Sequence, residues 1–167
     1  HAILTGEPLI GAQPFGVVLS DDLCLNRDGP GVLSQMAALY REFECSIVAV
    51  QEVPMQEIDK YGVIAGTAER TGLTRVTEMV EKPPQDEAPS NLAVIGRYIL
   101  TPDIFDIIRS TPPGRNGEVQ LTDALQVQAS EGRVLAYQFD GLRFDCGSVP
   151  GFVEATQHVY EHYYGQS

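Results

Sequence analysis

Charged residues follow three short apolar runs of the sequence, where they would lie at the ends of strands. Asp21 and Asp22 come after Val-Val-Leu-Ser. Glu81 and Lys82 come after Met-Val, and Asp145 comes after Arg-Phe. Open α/β sheets bind their ligands at the carboxyl ends of strands. These five side chains are therefore the first candidates for chemistry.

Asp21 and Asp145 have the side chains that a magnesium site needs. Mg²⁺ is usually held in proteins by one or two carboxylates together with phosphate oxygens of a substrate. The spacing in the sequence does not establish that the two residues meet, and either aspartate could instead cap a turn or a helix. The residue types alone leave both interpretations open.

Lys82 is one of only two lysines, and it lies between an apolar run and Pro83-Pro84. A cation held in a fixed place beside a rigid turn suits a phosphate group. A solvated ion pair of Glu81 and Lys82 is the alternative. The segment 117–123 is similarly ambiguous, because its acidic residues could cap a helix or face a ligand.

The composition excludes several classes of function. The 167 residues include 23 acidic and 11 basic side chains, and the net charge of −12 repels nucleic-acid phosphates and anionic lipid headgroups. We therefore expect no nucleic-acid partner and no membrane partner.

No apolar run approaches the roughly 20 residues that span a bilayer, and no signal-peptide pattern is present, which predicts a cytoplasmic protein. The three cysteines are odd in number and widely spaced, which is typical of reduced thiols.

Other motifs give no competing chemistry. The sequence has no G-x-S-x-G, no P-loop and no paired Cys/His nucleophile, so acyl transfer and NTP hydrolysis lack visible machinery. His158 and His162 lie four residues apart without an H-E-x-x-H arrangement, so we assign them no metal. A phosphatase that uses Asp21 is disfavoured because position 23 is Leu, where that chemistry usually needs a second aspartate.

Hydrophobic periodicity predicts one α/β domain over residues 1–167 with a mixed, mostly parallel sheet. The predicted helices are 32–44, 101–110, 121–129 and 150–163, and the predicted strands are 17–19, 45–50, 61–65, 73–80, 92–100, 134–139 and 142–144. The first strand, helix and second strand are expected to form a parallel crossover unit.

Seven segments, in this order, resemble the bacterial UTP-glucose-1-phosphate uridylyltransferases. They are HAIL (1–4), VVLSDD (17–22), KYGVI (60–64), VEKP (80–83), APSNLAVIGRY (88–98), GEVQLTDA (117–124) and FDCG (144–147). The resemblance covers essentially the whole chain. Glu-Lys-Pro alone is common to sugar nucleotidyltransferases, whereas the ordered series is specific to the uridylyltransferase branch.

The resemblance implies a Rossmann-like nucleotidyltransferase fold and a direct in-line reaction of UTP with glucose 1-phosphate, which yields UDP-glucose and pyrophosphate. By the family pattern, Asp21 and Asp145 would hold Mg²⁺, with Asp22 as the alternative ligand that strand alternation disfavours. Lys82 would contact the sugar phosphate and serve catalysis together with the two aspartates. The substrate pocket would comprise Gly62, Glu81, Lys82 and Val94.

The family pattern also includes a Gly-rich nucleotide-binding segment that precedes the residues present in this sequence. We therefore expect a C-terminal portion of a longer enzyme, with a sheet incomplete at the N-terminus and with oligomer contacts between identical full-length chains. A non-catalytic sugar-phosphate-binding or assembly module is the alternative from another class of function.

Overall fold

A computed structural model describes residues 2–114 and 117–165. The strands in this part of the chain are β1 (Phe15–Val18), β2 (Asp22–Leu25), β3 (Ser46–Glu52), β4 (Gly62–Arg70), β5 (Leu73–Glu81), β6 (Leu92–Leu100), β7 (Val134–Gln138) and β8 (Leu142–Asp145). The helices are α1 (Ala2–Ile10), α2 (Val32–Phe43), α3 (Ile104–Ser110), α4 (Leu121–Ser130) and α5 (Val149–Val159), with a 3-10 helix at Met55–Lys60 and a π-helical turn at Tyr160–Tyr164. The class is α/β, as the sequence predicts. None of these helices is long and apolar enough to cross a bilayer.

The prediction of a mostly parallel sheet is wrong, because the sheet is mixed and mostly antiparallel. Six strands follow the order β1-β6-β3-β7-β5-β4, and within residues 2–114 and 117–165 only β3 and β7 pair in parallel. The crossover from β1 through α2 does lead to a strand of the same direction, since β1 and β3 are both antiparallel to β6. However, β6 lies between these two strands. An inserted strand of opposite direction converts two parallel neighbours into two antiparallel pairs.

The core lies on both faces of this sheet, and β3 shows why. Successive side chains of a strand point to opposite faces. Val48 packs in a cluster with residues of α3 and α4, whereas Ile47 packs in a second cluster with residues of α2. The apolar residues of α2 recur at helical spacing, so Met36 and Leu39 are buried together against the sheet.

Two smaller pairings set the positions of three candidate residues, which lie at strand ends: Asp22 begins β2, Glu81 ends β5 and Asp145 ends β8. A separate two-stranded ribbon joins β2 to β8 and aligns Asp22 with Asp145. The β4–β5 hairpin aligns Gly62 with Glu81 and also pairs with β6 through Val63 and Ala93. The open end of this hairpin therefore lies beside the beginning of β6.

Candidate active site

One cavity of about 330 Å³ lies between the end of β1, the open end of the β4–β5 hairpin, the middle of β6 and the β2–β8 ribbon. All six residues that the sequence predicts for the site line this cavity: Asp21, Gly62, Glu81, Lys82, Val94 and Asp145. The other lining residues are Leu19, Asp22, Lys60, Tyr61, Gly96, Tyr98, Thr122 and Arg143.

The strand arrangement that brings these residues together differs from the one that the sequence predicts. The sequence predicts that they meet where the carboxyl ends of parallel strands share one edge of a sheet. Strand β5 runs opposite to β1, because β5 is antiparallel to β7 and β7 is parallel to β3. The pairing of Val63 with Ala93 instead brings the open end of the hairpin to the site.

Asp21 and Asp145 border one small space beside Gly147. A Cβ atom on Gly147 would lie 3.1 Å from Oδ1 of Asp145 and 3.3 Å from Oδ2 of Asp21. The two carboxylate oxygens are therefore no farther apart than the sum of these distances. The backbone fixes both residues, since Cys146 N donates to Asp21 O at 2.7 Å and Gly147 N donates to Asp145 Oδ1 at 3.1 Å. Two oxygen donors at a space without a side chain fit a hard cation such as Mg²⁺.

Asp22 has a different environment from its neighbour. Asp21 is exposed, whereas Asp22 is only 8% exposed. The carboxylate of Asp22 accepts hydrogen bonds from Gly96 N at 3.0 Å and from Arg143 Nε. Asp22 therefore holds β2 and β8 against β6, while the Asp21 carboxylate faces the cavity border.

Arg143 is a site residue that the sequence reasoning missed. Its guanidinium lies over the Tyr61 ring at 5.2 Å, donates to Tyr61 Oη at 3.2 Å and is 3.8 Å from Asp145 Oδ2. Burial lowers the pKa of Arg143, but hydrogen bonds to Tyr61 and Asp22 outweigh burial and raise it above its ordinary value. The period-two pattern of a strand was the available signal, because it places residues 143 and 145 on one face.

Thr122 is, after Arg143, the second site residue that the sequence reasoning missed, and it holds Glu81 in place. Thr122 Oγ1 donates to Glu81 Oε2 at 2.5 Å. A Cβ atom on Gly62 would lie 3.0 Å from Thr122 Oγ1 and 3.2 Å from Glu81 Oε2, so this contact requires glycine or a shift of its neighbours. The sequence indicated the segment 117–123 through its acidic members, whereas its threonine reaches the cavity.

Lys82 follows β5 with φ of 45°, a left-handed conformation that is unfavourable for a residue with a side chain. Its backbone N donates to Tyr61 O at 3.0 Å, which keeps the turn against the start of β4. Strained backbone of this kind is concentrated at functional sites. The exposed lysine side chain lies at the border of the cavity.

The sequence model of the nucleotidyl transferase family matches residues 1–162. The chain belongs to this family. The chain is 65% identical over 164 residues to a UTP-glucose-1-phosphate uridylyltransferase of Pseudomonas aeruginosa, and it is 44% identical over 156 residues to one of Staphylococcus epidermidis. These matches cover 98% and 93% of the chain but only 59% and 54% of the relatives. The chain thus spans somewhat more than half their length.

Solved structures agree with the nucleotidyl transferase assignment. A UDP-glucose pyrophosphorylase complexed with UDP-glucose superposes with a TM-score of 0.93 at 58% identity, covering 96% of this chain and 61% of the other. A UTP-bound UGPase from Acinetobacter baumannii gives 0.84 at 35% identity, covering 98% and 57%. The predicted α/β class and the resemblance to the UTP-glucose-1-phosphate uridylyltransferases are therefore confirmed.

Asp123, His158 and His162 lie outside this cavity. Asp123 lines a neighbouring cavity together with Lys82 and Gln120. The rings of His158 and His162 stack with their centroids 4.1 Å apart, and the His158 ring also lies 5.0 Å from the Phe144 ring of β8. In the described part of the chain, no group of three or more His, Cys, Asp and Glu side chains could hold a metal ion. A two-carboxylate site completed by substrate oxygens does not need such a group.

Proposed function

We propose that this chain forms the sugar-phosphate and metal-binding part of an enzyme that converts UTP and glucose 1-phosphate to UDP-glucose and pyrophosphate. The observation that carries the proposal is the convergence of Lys82 with the carboxylates of Asp21 and Asp145 on one cavity. The 65% identity to a uridylyltransferase and the TM-score of 0.93 to a structure with UDP-glucose support the choice of substrates.

The reaction requires no general base. A phosphate oxygen of glucose 1-phosphate attacks the α-phosphorus of UTP, the bond from this phosphorus to the bridging oxygen breaks, and pyrophosphate leaves. The nucleophile is already anionic, so the protein has to orient the reactants and neutralise charge. This chemistry is consistent with a cavity whose charged lining consists of carboxylates, lysines and an arginine.

Five of the residues that line the cavity would form the sugar-phosphate pocket. The Lys82 ammonium would contact the phosphate of the sugar. Glu81 would accept hydrogen bonds from the sugar hydroxyls. The backbone of Gly62, which leaves room for the Thr122–Glu81 contact, would line the sugar pocket, and Val94, which is 9% exposed, would supply an apolar wall. Tyr98 also lines the cavity, and burial raises the pKa of its phenol far above the ordinary value, so the phenol stays neutral.

Asp21 and Asp145 would hold Mg²⁺ in the space beside Gly147. The bound ion would offset the negative charge that the two phosphorylated substrates bring together. Asp22 is not part of this set, because its oxygens already accept hydrogen bonds from Gly96 and Arg143. We also propose a cytoplasmic setting, which is consistent with the three free cysteines.

Pyrophosphate release from UTP and glucose 1-phosphate, measured on the protein as its gene encodes it, tests the proposal. We expect release that requires Mg²⁺ and that decreases strongly in Lys82→Ala. Release that is unaffected by chelation and by Lys82→Ala would contradict the assigned site. Binding of UDP-glucose without any pyrophosphate release would favour the non-catalytic module instead.

A further inference from the structure

The hydrogen bond from Thr122 to Glu81 has a consequence for how the cavity recognises a sugar. Thr122 is 9% exposed and lies in the first turn of α4. Its hydroxyl donates to Oε2 of Glu81 at 2.5 Å. A carboxylate accepts through two oxygens, so this contact leaves Oε1 as the main acceptor for a ligand.

The contact also fixes the orientation of the carboxylate plane. The terminal torsion of a glutamate side chain is broad, so an unpartnered carboxylate rotates among many orientations. A hydrogen bond to an ionised acceptor is stronger than one between neutral groups and selects one of these orientations. Thr122 therefore determines the direction in which Oε1 points.

Thr122 itself is held in place from two sides. Its branched side chain has restricted χ1 rotation. A Cβ atom on Gly62 would lie 3.0 Å from its hydroxyl and 3.7 Å from its methyl group, so the backbone of β4 closely borders the side chain. Gln126, one turn further along α4, accepts a hydrogen bond from Met79 N at 2.5 Å and ties this helix to β5. A helix and a hairpin that are fixed to each other thus fix the Thr122–Glu81 pair.

We propose that Thr122 is a positioning residue that aligns Glu81 with the hydroxyls of the sugar and thereby sets selectivity among hexose 1-phosphate epimers. This inference rests on the proposed function, because it takes Glu81 as the acceptor of sugar hydroxyls. An epimer presents one hydroxyl in another direction, so a fixed acceptor discriminates against it. A rotating acceptor adapts to either epimer and discriminates less.

Thr122→Ala and Thr122→Ser form a matched pair, because both lack the methyl group and only the serine keeps the hydroxyl. In the protein as its gene encodes it, we expect Thr122→Ala to raise KM for glucose 1-phosphate by about tenfold, which corresponds to about 1.4 kcal/mol. The ratio of kcat/KM for glucose 1-phosphate over galactose 1-phosphate should fall by a similar factor. The KM for UTP should not change, and Thr122→Ser, which keeps the hydroxyl but not the branch, should restore most of both sugar parameters.

Three results would overturn the inference: wild-type selectivity in Thr122→Ala, equal losses in the alanine and serine variants, or a parallel rise in KM for UTP. If Thr122→Ala does not fold, the isosteric Thr122→Val provides the same comparison. A wild-type protein that does not turn over glucose 1-phosphate would instead overturn the proposed function. That result is distinct from an active wild type whose selectivity does not depend on Thr122.

Discussion

Asp21 and Asp22 are adjacent in the sequence, and the structure predicts opposite consequences when each is replaced by alanine. The Asp22 side chain is 10% exposed, as is that of its partner Arg143. Asp22→Ala removes the acceptor for Arg143 Nε and for Gly96 N at once. Asp21 is exposed and lies at the border of the cavity.

The size of the Asp22 effect follows from the state in which Arg143 is left. Removing one partner of a buried ion pair costs about 3–5 kcal/mol, because an uncompensated charge remains. Arg143 keeps the Tyr61 hydroxyl and ring and lies 3.8 Å from Asp145, so its charge is partly compensated. We therefore expect a loss near the lower limit, about 3 kcal/mol. For a chain of this length, that loss lowers Tm by about 6–12 °C.

Urea unfolding followed by circular dichroism measures this difference. Asp21→Ala should change the free energy of unfolding by less than about 0.5 kcal/mol, as is usual for exposed positions. Asp22→Asn should fall between wild type and Asp22→Ala, because its amide oxygen can still accept from Gly96 N. Pyrophosphate release should show the reverse order, with the larger decrease per folded molecule in Asp21→Ala. Equal destabilisation by the two alanine variants would refute the assignment of different roles.

Three other variants test further parts of the site and the fold. Lys82→Ala should lower kcat/KM by about 10²-fold with an unchanged Tm, and unchanged kinetics would reduce Lys82 to a surface residue. Gly62→Ala should raise KM for glucose 1-phosphate, since its Cβ atom would lie 3.0 Å from Thr122 Oγ1; an unchanged KM would contradict this close approach. Burial raises the pKa of Asp103, but hydrogen bonds from neighbours including Arg133 bring it below its ordinary value of 3.8. Its contribution to stability is therefore present above this value and is lost as the pH falls through the lower folded pKa. Acid titrations of Tm should show a gap between wild type and Asp103→Asn that closes at low pH, and a constant gap would contradict the lowered pKa.

The sequence by itself predicted most of the helices and strands, but not α1 or β2, and it predicted six of the residues that line the cavity. Apolar residues at helical spacing predict α2 within a residue at its carboxyl end, and a β-branched run predicts β3. These predictions succeed because periodicity specifies which face of an element is buried. The order of the motifs was sufficient for the family resemblance. The six site residues that were carried over from these motifs line one cavity.

Only the tertiary structure decided the strand order and the separate roles of similar residues. The position of β6 between β1 and β3 depends on packing between segments far apart in sequence, which local periodicity does not encode. Asp22 is distinguished from Asp21 by a hydrogen bond to Arg143, 121 residues away. Thr122 donates a hydrogen bond to Glu81, which lies 41 residues earlier in the sequence. From the sequence alone, Thr122 cannot be distinguished from a threonine that caps a helix. Sequence pattern specifies the direction of a side chain within its own element, whereas its partner is set by the packing of distant elements.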